Sequence, residues 1–250
     1  MVMITSVEEA MRGRWSPHAN ANFRTQFMGE DRHKGERPDP TVPSPIAYLV
    51  EQGPHTELRA HFHEADQFQI FVSGAGRIGG HAAAPGKGHF VGPYSGYGPI
   101  VAGENGLAYM TLRNAYDPGA QWLPENVERI RSKRASRREV MFQAPDGAEP
   151  AGLQAVLDAG AVTLVQAQGD GLASWSYGVR AGESVAGPDP AAGGGQFWLV
   201  LAGTMVDGTR GALQRLSMAF VRPQEGPYTA KAGPQGLHVL VVQFPKFTPP

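Results

Sequence analysis

Five of the eight histidines, His55, His61, His63, His81 and His89, fall between residues 55 and 89, and two of them are separated by a single residue. Side chains alternate between the faces of a β-strand, so His61, His63 and Gln67 share one face while Phe62, Glu64 and Phe68 take the other. Two imidazoles and a side-chain carbonyl oxygen on one face are three neutral donors of the kind that suits a divalent first-row ion. Bound there, the ion would act as a Lewis acid toward a small polar organic molecule. Neutral donors hold a dication only with good geometry and support from the groups behind them. The same residues have a second reading, as pocket histidines that Gln67 satisfies by hydrogen bonding. A third is metal-free chemistry, in which a histidine near its unperturbed pKa of about 6.5 serves as base. His81 follows Gly79-Gly80 and His55 follows Pro54, which places both at turns or rims. His18, His33 and His238 stand alone and support no functional reading.

Short strands must position these residues. Glycine (33) and proline (21) far exceed the average of about 12% for the pair, and they punctuate apolar runs rich in β-branched and aromatic residues. Pro45 to Val50, Phe68 to Val72, Phe197 to Leu201 and Leu237 to Phe244 are such runs, and they rule out disorder. An internal repeat organises them. Gln67-Phe68 begins a run that ends at Gly74, and Gln196-Phe197 begins another that ends at Gly203. Phe90-Val91 precedes Pro93 as Phe220-Val221 precedes Pro223, and Gly106-Leu107 matches Gly236-Leu237. Three blocks in the same order indicate two copies of one β module.

The expected organisation is an N-terminal helix and extended arm over 1–40, a first module over 41–115 carrying the candidate site, a linker with a short helix over 116–155, and a second module over 156–250. Ser6 with Glu9 three residues later fits a capping box for a helix near residues 7 to 13. Pro124 followed by Val127 and Ile130 fits the linker helix. That helix runs into Arg129, Arg131, Lys133, Arg134, Arg137 and Arg138. This cluster lacks the interleaved aromatics on which bases stack, so it reads as a solvated or inter-subunit salt-bridging face.

Composition removes several function classes. There are 22 Lys and Arg against 23 Asp and Glu, a net charge of -1, so no global field attracts nucleic acid or an anionic membrane. With no cysteine, disulfides, thiolate metal sites and a cysteine nucleophile are excluded. Met1 to Trp15 is polar, without the apolar stretch of a signal peptide, and no run of about 18 apolar residues follows. A cytoplasmic location is the simplest expectation. P-loop and GxSxG frames are absent, and no GxGxxG opens a helix.

The stretch His61-Phe62-His63-Glu64-Ala65-Asp66-Gln67, followed by Gly74, resembles the first motif of the cupin superfamily. Gly88-His89-Phe90-Val91-Gly92-Pro93 through Gly98 loosely resembles the second. The resemblance implies an all-β fold of two double-stranded β-helix barrels with few short helices, a bicupin. It implies a divalent ion (iron, manganese, nickel or zinc) on His61, His63 and Gln67, with Gln67 where the family usually has glutamate. The fourth ligand of the family falls near Tyr97, where no histidine stands. A catalytic Tyr97 then orients substrate or relays a proton, as tyrosine does in epimerases that resemble cupins in fold. In the second module Pro190 and Ala192 replace the histidine pair, leaving a degenerate barrel. The expected function is that of a metal-dependent oxygenase or lyase acting on a small polar molecule. The alternatives are a non-catalytic small-molecule-binding protein and a metal-free isomerase or lyase using histidine and tyrosine. The family also implies a homodimer.

Overall fold

The computed structural model describes residues 1–17, 22–29, 44–133, 137–147 and 149–247. Most of the expected arm at 16–45, together with Arg134, lies outside the described residues. Two compact units result: Gly13–Phe142, and Met1–Arg12 with the chain from Gln143 onward. The division therefore falls at Gln143, before the boundary expected at 155. Met1–Arg12 goes with the second unit because Met3–Thr5 pairs antiparallel with Met218–Val221. Ser6 caps the helix Val7–Met11 through its hydroxyl and the Glu9 amide, 3.1 Å.

In the first unit the sheet runs in the order Glu139–Gln143, Lys87–Val91, Gln67–Ile78, Ile100–Arg113, Ile46–Gln52, Phe23–Met28. From Lys87–Val91 to Phe23–Met28 each neighbouring pair is antiparallel. The short strands Glu57–Leu58 and His81–Ala83 attach to Ile100–Arg113 and Gln67–Ile78, and His61–Phe62 pairs separately with Gln121–Trp122. In the second unit the order is Met3–Thr5, Met218–Val221, Gln196–Asp207, Thr229–Gln243, Ala173–Val179, Ala161–Val165. Helices among the described residues are the α-helices Val7–Met11, Val127–Lys133 and Pro150–Ala159 and the 3-10 turns Pro190–Ala192 and Pro223–Glu225.

The register repeats between units. Phe68 opposes Phe90 and Leu112, as Phe197 opposes Phe220 and Val242. Gly74 opposes Leu107, and Gly203 opposes Leu237, each followed by a register shift. The period of two then sorts the side chains. In the first unit Phe71, Val91, Tyr97, Leu107 and Tyr109 form one buried cluster. Phe68 and Phe90 lie on the opposite face, where Phe142 packs over Phe68 with ring centroids 6.3 Å apart. Gln67, Gln69 and Phe71 therefore point to the same side as Tyr109, Thr111 and Arg113.

Candidate functional site

The faces sorted by the long strands bring His61, His63, Gln67 and Tyr97 together. His61–Phe62 forms a short strand, and an isolated bridge ties His61 to Tyr97 through reciprocal backbone bonds of 3.1 and 3.0 Å. Gln67 opens the strand Gln67–Ile78, and Phe68 opposing Leu112 sets it beside Arg113 at the end of Ile100–Arg113. Exposure is 2% for His61, 6% for His63, 0% for Gln67, 5% for Tyr97 and 1% for Arg113, so each polar atom must find its partner inside.

The partners fix the direction of every bond. His61 Nδ1 lies 2.7 Å from the Arg59 carbonyl, which can only accept, so Nδ1 carries the proton and Nε2 accepts. The Tyr97 hydroxyl donates to that Nε2 at 2.7 Å and accepts from Gln67 Nε2 at 2.7 Å. Gln67 Oε1 accepts from Arg113 Nε at 2.9 Å and Nη2 at 2.6 Å. Arg113 Nη2 is also 3.1 Å from the Tyr48 hydroxyl and 3.1 Å from His63 Nε2. His63 Nδ1 donates to Asp117 Oδ1 at 2.7 Å, and the backbone amides of Glu64 and Gly119 donate to the same carboxylate at 2.8 Å each. Arg113 Nη1 stands 3.6 Å from Asp117 Oδ1, a buried ion pair in which both side chains are at most 1% exposed.

Electrostatics follow from burial. Desolvation, assisted by the neighbouring His63, lowers the His61 imidazole to about 3, so it stays neutral. Burial pushes the Tyr97 phenol well above its ordinary range. For Asp117, burial acts upward but is outweighed by the His63 hydrogen bond and the Arg113 charge, which hold the carboxyl far below its usual value. His89 is fully buried, with Nδ1 2.9 Å from Gln69 Oε1 and Nε2 3.0 Å from Glu139 Oε1. That hydrogen bond from His89 is the main reason the Glu139 carboxyl falls to about 2. His55 and His81 are exposed, as turn and rim positions require.

The donor atoms of His61, His63 and Gln67 do not fit a divalent ion as they stand. Gln67 Oε1 accepts from Arg113 and His61 Nε2 accepts from Tyr97, while Arg113 Nη2, 3.1 and 3.2 Å from the two ring nitrogens of His63, lies over the face of that ring. A dication 4 Å from a guanidinium is opposed by about 8 kcal/mol at an effective dielectric of 20. Among the described residues, no three His, Asp or Glu side chains converge as ion ligands.

Arg113, Asp117 and Tyr48 escaped sequence reasoning because strand register, not sequence proximity, brings them to the histidines. A signal was present in the repeat: Arg113 aligns with Gln243, and Gln196, the counterpart of Gln67, donates to Gln243 Oε1 at 2.8 Å. Beside Tyr97 lies a cavity of about 480 Å³, with Tyr94, Leu123, His81, Arg137 and Glu139 among its walls.

No family model and no curated protein matches the sequence. Solved structures do match its fold. A bacterial pirin from Escherichia coli in complex with nickel(II) aligns with a TM-score of 0.59 and 9% identity over 98% of this chain and 100% of that one. A single-residue variant of oxalate decarboxylase from Bacillus subtilis aligns with a TM-score of 0.59 and 12% identity, over 98% and 78% of the two chains. With the two repeated β units in place, these matches show that the chain has the cupin fold.

Proposed function

We propose that this protein is a metal-independent cupin that binds a small polar organic molecule in its first unit, in the cavity beside Tyr97. The observation that carries the reading is that Gln67 Oε1 is held by two Arg113 donors while His61 Nε2 is held by the Tyr97 hydroxyl. Two of the three expected ion ligands are thereby spent on a tyrosine and a resident arginine, and the guanidinium lies over the ring of the third, His63. The cavity offers what such a ligand needs: apolar walls from Leu123 and Ile130, and polar groups from His81, Tyr94 and Arg137.

Binding accounts for the geometry better than catalysis by Tyr97 does. Its single proton goes to His61, its oxygen already accepts from Gln67, and burial makes the phenol a weaker acid than usual. A thermal-denaturation screen against small carboxylates, sugars and amino acids tests the reading, with Gly80→Phe as the blank. Gly80 lines the cavity, and a Cβ there meets nothing within 4 Å, so the new ring fills space without a clash at its base. A ligand at 100 times its Kd stabilises by about 2.7 kcal/mol, and the shift should vanish in Gly80→Phe. A shift of equal size in the variant, or stoichiometric metal in the unmodified protein, contradicts the proposal.

The second reading is the divalent ion on His61, His63 and Gln67. It draws on the nickel(II) of the pirin and on the Mn(II) centers named for oxalate decarboxylase. It requires Arg113 to leave Gln67 and Tyr97 to release His61, and metal analysis separates it from the first reading.

A further inference from the structure

We infer that Arg113 is the resident cation of the first unit: its guanidinium, bonded to Gln67 Oε1 and laid over the His63 ring, repels a divalent ion from His61, His63 and Gln67, so removing its charge opens a divalent-cation site. The inference rests on, and deepens, the metal-independent reading.

The support lies behind the histidines. A metal-bound histidine ordinarily donates its other ring N–H to a carboxylate or a backbone carbonyl, which fixes the ring and aims the free nitrogen at the ion. Both arrangements occur here. His63 Nδ1 donates to Asp117 and His61 Nδ1 to the Arg59 carbonyl, and Nε2 of each ring is left as the acceptor. The supporting shell of an ion site is thus built, but the Tyr97 hydroxyl meets His61 Nε2, and the Arg113 guanidinium binds Gln67 Oε1 and lies over the His63 ring. Asp117 supplies the negative charge such a centre needs, and two backbone amides hold it there.

The second unit is an internal control. Where the histidines are replaced by Pro190 and Ala192, the residue aligned with Arg113 is the neutral Gln243, bonded to Gln196. Cation and histidines are therefore present together in one unit and absent together from the other. That neutral pair shows that the fold accepts glutamine at this strand end, although Arg113→Gln also leaves the buried Asp117 without its ion-pair partner, so the folding of the variant is measured alongside.

Cobalt(II) tests the inference, through its visible absorption and by calorimetric titration. The unmodified protein and Arg113→Lys, which keeps the charge, should bind no stoichiometric cobalt. Arg113→Gln should bind one equivalent at least about 100-fold more tightly, the scale expected when a repulsion of several kcal/mol is removed. Adding His63→Ala should abolish that binding. Circular dichroism establishes that each variant is folded, and Arg113→Met serves as a second charge-removing variant, with the same outcomes read from it, where Arg113→Gln is not. One equivalent of cobalt on the unmodified protein overturns both this inference and the metal-independent reading. No cobalt on folded Arg113→Gln, or equal binding by Arg113→Lys and Arg113→Gln, overturns this inference alone.

Discussion

Asp117 and Arg113 show how much rests on single side chains in a dry interior. Removing one partner of a buried ion pair leaves the other charge uncompensated, at about 3–5 kcal/mol. Asp117→Asn should therefore destabilise the first unit by that amount, read as a lowered urea midpoint; a loss under about 1 kcal/mol would show that the pair carries little. The Asp117 carboxyl is depressed in the folded protein, so its stabilisation is present above the ordinary carboxylate range and is lost as pH falls through it. In the second unit His238 is fully buried, with Nε2 2.9 Å from the Ser176 hydroxyl, and burial, partly offset by Asp146, lowers its pKa to about 4. The unfolded chain binds this proton below about 6.5 and the folded one only below about 4, so stability falls with pH across that window. The slope approaches about 1.4 kcal/mol per pH unit for one such group. Unfolding followed by fluorescence of the buried Trp198 should show this slope, and His238→Gln should flatten it. An unchanged slope in the variant would assign the acid sensitivity to other groups.

At the scale of elements, the two long strand pairs do the positioning. Gly74 has φ +74°, and a Cβ there would stand 2.2 Å from the Gly106 carbonyl oxygen; Gly203 has φ +67° and the same 2.2 Å approach to Gly236. Left-handed backbone costs an ordinary residue about 1–2 kcal/mol before any clash. Gly74→Ala and Gly203→Ala should each lower thermal stability by at least that much, and Gly74→Ala should also disturb the register that seats Arg113 beside Gln67. Retention of full stability by either variant would remove the close strand crossing as a determinant of the fold. The basic segment is largely spent on local pairs: Arg129 with Glu64, Arg131 with Glu128, and Arg137 with Glu139. These pairs lie within one chain, where the sequence suggested a solvated or inter-subunit face.

For the whole molecule, the duplicated frame was legible because glycines, aromatics and strand starts recur in one order, and the register reproduces that order in both units. The four candidate residues were legible too, through strand alternation and the cupin resemblance, and they do meet. What occupies the space between them was not legible. Arg113 lies 46 positions from Gln67 and Asp117 54 positions from His63, distances that only pairing across the sheet closes. The affiliation of Met1–Arg12 with the second unit was hidden for the same reason, since Met3–Thr5 finds its partner more than 200 residues away.

The central claim is that His61, His63 and Gln67 are engaged by Tyr97 and Arg113 rather than by an ion. Elemental analysis by inductively coupled plasma mass spectrometry, on tag-free protein loaded with iron, manganese, nickel and zinc salts and then desalted, tests it most directly. The account predicts no stoichiometric metal, indistinguishable from the His61→Ala/His63→Ala variant. Near one equivalent that disappears in that variant would contradict it.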